Sequence, residues 1–173
     1  MNNNSKFKVI IAWSAFIVLT AILVVFLVIK LNDSKTYDDY SDIKGSLLIK
    51  DITGQSDDSY YVFVYSSSGK YQSWKQEEAE TPVMAYFTYA HKNKDDENVL
   101  PIYGYDIDRF KANYGYSSCD AYLYELNANM DIANTPMLLL VSGGIVTTVY
   151  TNIGGSNGIE GVLVNAMKGV DGK

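Results

Sequence analysis

Hydrophobic positions along this chain fall into one unbroken block followed by a series of short runs separated by turns. From Val9 to Ile29, twenty-one consecutive residues carry no charge. As a helix rising about 1.5 Å per residue they would cover about 30 Å, the hydrocarbon thickness of a bilayer. Lys6 and Lys8 precede the block and Lys30 follows it, so that long cationic side chains reach the headgroups on either side. The block reads as one membrane-spanning helix. A cleaved secretory signal is the competing reading, but its apolar region is usually about 7–15 residues long and ends at small residues. Lys30-Leu31-Asn32-Asp33 offers no such site, and no cysteine follows for lipid attachment. Lysines near the two ends almost balance. The orientation adopted puts residues 1–8 in the cytoplasm and everything after the 9–29 span outside it, at the cell membrane.

Residues 30–42 are polar, with Asp33, Asp38, Asp39 and Asp42 and no apolar period, and read as a linker. Ile43, Leu47, Leu48 and Ile52 have roughly helical spacing, weakened by Gly45, and Leu47 to Ile49 fits the start of a strand as well. Tyr60 to Tyr65 is β-branched or aromatic throughout and apolar on both alternating faces, which predicts a central strand. Lys70 to Lys94 predicts a helix kinked or restarted at Thr81-Pro82, because Thr caps and Pro is tolerated in a first turn. Val99 to Tyr105 predicts a strand with Pro101 near its start. Ser117 with Asp120 resembles a cap for a third helix. Met137 to Val141 and Ile145 to Thr151 flank Ser142-Gly143-Gly144, a strong hairpin sign. Asn157 with Glu160 reads as the cap of a closing amphipathic helix carrying Ile159, Val162, Leu163, Ala166 and Met167.

Charge narrows the function. Without Lys6, Lys8 and Lys30, eleven of the fourteen basic residues follow the span, against all twenty acidic ones, so the exposed part carries about −9 at neutral pH. Such a surface argues against nucleic acid as a partner and against adhesion to anionic lipid. About 130 residues beyond the linker suffice for one domain with a real core. All fifteen tyrosines lie after the span, a density that suits half-buried strands, with packing at element edges ahead of a dedicated aromatic face. Cys119 is the single cysteine, which rules out an intramolecular disulfide or a four-cysteine metal site.

In order, the elements run helix, strand, helix, strand, helix, strand, strand, helix, and a hairpin after two strand–helix units implies an α/β fold with a mixed sheet covered on both faces. That order resembles the thioredoxin-like superfamily. The sharper likeness is Asp131-Ile132-Ala133-Asn134-Thr135-Pro136-Met137-Leu138-Leu139-Leu140-Val141-Ser142-Gly143-Gly144, where the isoleucine precedes the proline by four and Gly144 follows it by eight. The resemblance implies that this proline is cis and opens the antiparallel hairpin. Together with Gly154-Gly155 the likeness covers roughly Ile43 to Met167, within a thioredoxin-like domain at 43–173. Membrane-tethered relatives of this kind, including those similar to bacteriocin-export accessory proteins, share the plan of one anchor and one domain.

The departure from that family bears directly on chemistry. Members that exchange disulfides carry Cys-x-x-Cys just after the first central strand, and here the stretch is Ser66-Ser67-Ser68-Gly69-Lys70-Tyr71. A serine hydroxyl is hardly ionised at neutral pH and forms no exchangeable sulfur bond, so the two-thiol cycle is closed. Cys119 falls in the first turn of the predicted third helix, where the dipole favours thiolate and Asp120 opposes it about equally. It lies far from the family's active position and reads as a structural or merely accessible thiol. His91, the sole histidine, reads as solvated and without a zinc partner set. Ser66 to Ser68 lack the Gly-x-Ser-x-Gly elbow of hydrolases, and Asp95-Asp96-Glu97 and Asp106-x-Asp108 lack the spacing of a calcium loop and read as solvated charge. Gly143-Gly144 and Gly154-Gly155 read as turns. No catalytic residue, metal or cofactor is expected.

What remains is recognition. The resemblance implies that the backbone of Thr135, before Pro136, pairs with an extended peptide, and that Ser67, Ser68, Gly69 and Tyr71 line the same groove. The expectation is a membrane-tethered, redox-inactive thioredoxin-like accessory module that binds a polypeptide partner at the outer membrane face. Three alternatives stand beside it. In the first the proline serves folding alone, in the second Cys119 acts in monothiol disulfide exchange, and in the third the chain works in a membrane assembly through its anchor helix.

Overall fold

The computed structural model describes residues 3–43, 51–110 and 115–169. They fall into two compact units, Met1–Lys35 and Thr36–Lys173. The first is a single helix, α1 (Asn3–Asp33), whose stretch Trp13–Leu31 is long and apolar enough to cross a membrane and is nowhere buried against protein. Its apolar residues point in every direction, a distribution that suits lipid better than a one-sided core. Thr20 returns its hydroxyl to the Phe16 carbonyl at 2.8 Å, so this mid-helix polar group is satisfied within the helix.

The second unit is built on a four-stranded mixed sheet in the order β2-β1-β3-β4. Strand β1 (Ser59–Tyr65) lies in the middle, parallel to β2 (Ile102–Asp106) and antiparallel to β3 (Met137–Ser142). Because successive side chains point to opposite faces, β1 feeds two cores. Tyr61, Phe63 and Tyr65 meet α2 (Ser73–Lys92) and α4 (Ile159–Met167), while Tyr60, Val62 and Val64 meet α3 (Cys119–Leu126). Every residue of β1 after Ser59 is buried, which is why its sequence is apolar on both alternating faces.

Strand β4 (Ile145–Tyr150) closes the hairpin with β3. Its two-residue turn is Gly143 at φ 58° and Gly144 at φ 74°, left-handed values at which a side chain would be strained and whose twist matches the flanking strands. Strand β2 begins later than the Val99 expected from sequence, since Pro101 lies just outside it. That proline contributes only its carbonyl, which accepts from the Tyr61 N–H at 2.8 Å.

Three helix boundaries differ from the sequence reading. Helix α2 runs unbroken through Pro82 in place of restarting at Thr81. Gln76 and Ala79 before the proline, and Val83, Met84, Tyr86 and Phe87 after it, are all buried, so packing along the whole length holds the helix together. The cap of α3 is Ser118, one residue later than Ser117, accepting from the Ala121 N–H at 3.1 Å. Helix α4 starts after Gly158 without a side-chain cap, so Asn157 does not play that part. The Asn152 and Ile153 carbonyls accept the first N–H groups of α4 at 2.9 and 3.0 Å, and the chain at Gly158 passes too close to Gly154 to leave room for a Cβ.

The end of the segment read as linker is packed. Tyr37 is buried against Phe87 and beside His91, and its N–H donates to Thr88 Oγ1 at 2.9 Å. Ile43 is fully buried, and Tyr40 stacks on Phe63 and Tyr65. Residues 36–43 thus form a strap across α2 and one face of the sheet. The expected helix between Ile43 and Ile52 lies mostly outside the described residues.

Candidate functional site

Parallel pairing places the ends of β1 and β2 side by side, with Tyr65 opposite Asp106, so the segments that follow both strands meet at one end of the sheet. After β1 comes the bend Ser66-Ser67-Ser68-Gly69. After β2 comes Asp106 and a single 3-10 turn, Ile107–Arg109. Sequence reasoning treated Asp106-x-Asp108 as solvated charge. The structure corrects this, because Asp106 is 4 % exposed and both carboxylates hold backbone.

Asp106 Oδ1 accepts from Ser67 N at 3.2 Å and from Asp108 N at 3.1 Å. Asp108 Oδ2 accepts from the Ser66 hydroxyl at 2.7 Å and from Ser68 N at 2.8 Å. Burial pulls the Asp108 carboxyl upward, but hydrogen bonds from the Ser68 N–H and the Ser66, Ser68 and Ser67 side chains outweigh it and hold the group below its ordinary value. On the other side, Gln76 of α2 embraces Ser66: its Oε1 accepts from Ser66 N at 2.6 Å and its Nε2 donates to Ser66 O at 3.1 Å. Two acids and one amide therefore fix the bend. Gly69 completes it at φ 67°, its N–H donating to Ser66 O at 3.1 Å.

The second segment at this end precedes β3. Asp131 caps the 3-10 turn Ile132–Asn134, and the Thr135–Pro136 bond is cis, the form the resemblance implies. Gln72 joins the two segments, its side-chain amide donating to the Ala133 carbonyl. Gln72 is also the sole non-glycine residue at positive φ (38°) among the described residues, a left-handed position for which a side chain is poorly suited.

Of the six residues expected to line a groove, Ser67, Ser68 and Gly69 are exposed on the bend, and Tyr71 is half-buried against the α3 side of the sheet. Thr135 is 0 % exposed and Pro136 is buried. The Thr135 N–H donates to the Ile132 carbonyl at 3.2 Å, so this donor is already used within its own turn. Ala133 is an exposed residue, and its carbonyl accepts from the Gln72 side chain.

A cavity of about 400 Å³ opens on the α2 side of the bend, lined by Tyr40, Tyr65, Ser66, Glu77, Glu80 and Arg109 among others. Arg109 Nε lies 3.3 Å from Asp106 Oδ2. No group of three or more metal-binding side chains occurs among the described residues.

Cys119 is 8 % exposed, which removes the accessible-thiol option. Burial first, and the Asp120 charge second, push the thiol up to about 11, with the Tyr105 hydroxyl pulling weakly the other way. The helix dipole and Asp120 do not cancel to an ordinary thiol, because desolvation dominates. At neutral pH the thiol is therefore protonated and a poor nucleophile. His91 is half-buried with its ring edge-on to Tyr37 at 5.9 Å, and so is a packing residue more than a solvated one.

Asp106, Asp108, Gln72 and Gln76 are what sequence reasoning missed at this site. A signal for the acids existed. Asp-x-Asp at the end of a strand parallel to the serine-ended strand must lie beside the bend, but only once the pairing of the two strands is known. Compared with protein-family models, with curated proteins and with solved structures, the chain matches none of them.

Proposed function

We propose that this chain is a membrane-tethered, thioredoxin-like module without redox chemistry that holds a polypeptide partner outside the cytoplasm. The observation that carries the reading is the Gln72 amide on the Ala133 carbonyl, which joins the serine bend to the proline segment in one site. Two further observations support it. The sheet order, with one parallel and two antiparallel pairings and a cis proline opening the hairpin, is that of the thioredoxin-like resemblance. The sole cysteine is buried with its thiol raised, which leaves the site without a nucleophilic sulfur.

Recognition then proceeds through Ala133 in place of Thr135. A partner segment laid along the proline turn offers its own N–H to the Ala133 carbonyl and displaces the Gln72 side chain, exchanging one amide donor for another at little net cost. Exposed Ser67 and Ser68 supply further polar contacts on the opposite wall.

The test is site-specific photocrosslinking in intact membranes, with a photoreactive residue at Ser68 and, as control, at exposed Lys168 on the far end of α4. A discrete polypeptide adduct from Ser68 alone is expected. Equal adducts from both positions, or none from Ser68, would overturn the reading.

A further inference from the structure

Only Ser34 and Lys35 separate α1 from the strap at 36–43, and the contacts of that strap converge on the serine bend. It is held at both ends. The Tyr37 N–H and ring engage Thr88 and Phe87 toward the end of α2, and Ile43 closes the other end at 0 % exposure. Between them Asp42 Oδ2 accepts from the Asp38 N–H at 2.9 Å and ties the intervening turn together. Tyr40 then reaches the bend by two routes. Its hydroxyl donates to the Gln76 carbonyl at 2.6 Å, and Gln76 is the residue whose side-chain amide holds both backbone groups of Ser66. Its ring stacks on Tyr65 at 5.0 Å and 16°, and Tyr65 is the residue just before Ser66. Tyr40 and Ser41 also form the strap side of the cavity of about 400 Å³ beside the bend. A passive tether needs none of these contacts, since fixing a chain segment costs about 1–2 kcal/mol per residue.

We infer that the strap is a coupling element in which Tyr40 is the positioning residue that fixes the serine bend for its partner. The inference rests on the partner-holding reading and names what controls that site. With Tyr40 docked, α2 at Gln76 and the end of β1 at Tyr65 share one clamp, and Ser66 to Ser68 are presented in a single arrangement. With Tyr40 lifted out, Gln76 loses its outer contact and the Tyr65 ring loses its cover. The α2 side of the bend then slackens, while Asp106 and Asp108 keep hold of the other side. A partner that binds the fixed bend favours the docked strap by the same factor by which the docked strap favours the partner.

The test measures amide hydrogen exchange in the full chain in detergent micelles. Ser66, whose N–H is held by Gln76, reports the bend, and Leu139, in the middle of β3, reports opening of the whole domain. Tyr40→Ala should speed exchange at Ser66 about tenfold relative to Leu139, because two ring stacks and a hydrogen bond are lost together. Tyr40→Phe keeps the stacks and should speed it about threefold. Leu123→Ala destabilises the opposite core, which contains no strap residue, and should give no rise at Ser66 relative to Leu139. In intact membranes Tyr40→Ala should lower the photocrosslink yield from Ser68 about fivefold, with Tyr40→Phe falling between it and the unaltered chain. If the alanine variant does not fold, the phenylalanine variant decides by the same two readouts. Ser66 exchange that only follows Leu139 in the Tyr40 variants, or a crosslink yield they leave untouched, overturns the inference and leaves the partner reading standing. A chain with Tyr40 intact that gives no adduct from Ser68 overturns the partner reading and, with it, this one.

Discussion

The two ends of the sheet both carry acidic residues and treat them in opposite ways. Where β1 and β2 end, buried Asp106 and exposed Asp108 accept from the N–H groups of the serine bend. Where β1 begins, Asp58, Asp95, Asp96 and Glu97 lie on exposed loops around a shallow hollow. Asp96 accepts from the backbone and side-chain N–H groups of Asn98, two residues away, and Asp57 from the Tyr103 hydroxyl. The same side chain is a structural part at one end and a solvated charge at the other. What separates Asp106 from Asp96 is burial: both accept a backbone N–H, but only Asp106 does so away from water, where an N–H without a partner is costly and a carboxylate is the strongest acceptor available.

The hardest blow to that contrast is Asp106→Ala, which strips two backbone N–H groups and the Arg109 partner at once. It should cost about 3 kcal/mol in denaturant unfolding, whereas Asp95→Ala and Glu97→Ala should stay within about 0.5 kcal/mol. Similar losses at both ends would erase the distinction. Gln76→Ala comes next, at about 2 kcal/mol by the same measurement, because both of its bonds to Ser66 are buried.

Protonation gives a gentler probe. Since the folded Asp108 carboxyl lies below its unfolded value of about 4, the stabilisation it lends is full above that pH and fades as pH falls through the lower folded value. The Ser68 amide resonance should follow that titration, and Asp108→Asn should abolish it. A resonance indifferent to pH would show that the carboxylate does not hold the bend. The smallest effect is expected for Gln72→Gly. Loss of the bond to Ala133 and relief of the left-handed backbone should roughly cancel, leaving stability within about 0.5 kcal/mol by thermal melting.

Local pattern made some of this legible. The doubly apolar run of β1 and the Gly143-Gly144 turn each depend on a few adjacent residues, and both were readable from the chain alone. Of the two options that Pro82 left open, a kinked helix or a restarted one, the restart at Thr81 is overridden by burial on both sides of it. Tyr37 and Tyr40 were hidden among aspartates in an aperiodic stretch, and only the helix they pack on gives them meaning. The candidate site was half visible. The bend and the proline segment were placed together, while Asp106, Asp108 and Gln72 acquire their parts from contacts that reach 39 to 61 residues along the chain. Thr135 was expected to be open on a likeness to other proteins, and its burial follows from a turn that closes on itself at Ile132.

The most direct test of a partner-holding site that works without sulfur is the yield of the Ser68 photocrosslink, in intact membranes, from a chain carrying Cys119→Ser. Because the thiol is buried and far from ionised at neutral pH, that yield should equal the yield from the chain with its cysteine. An adduct that disappears with the sulfur while the fold persists would contradict the account and make Cys119 the centre of the site.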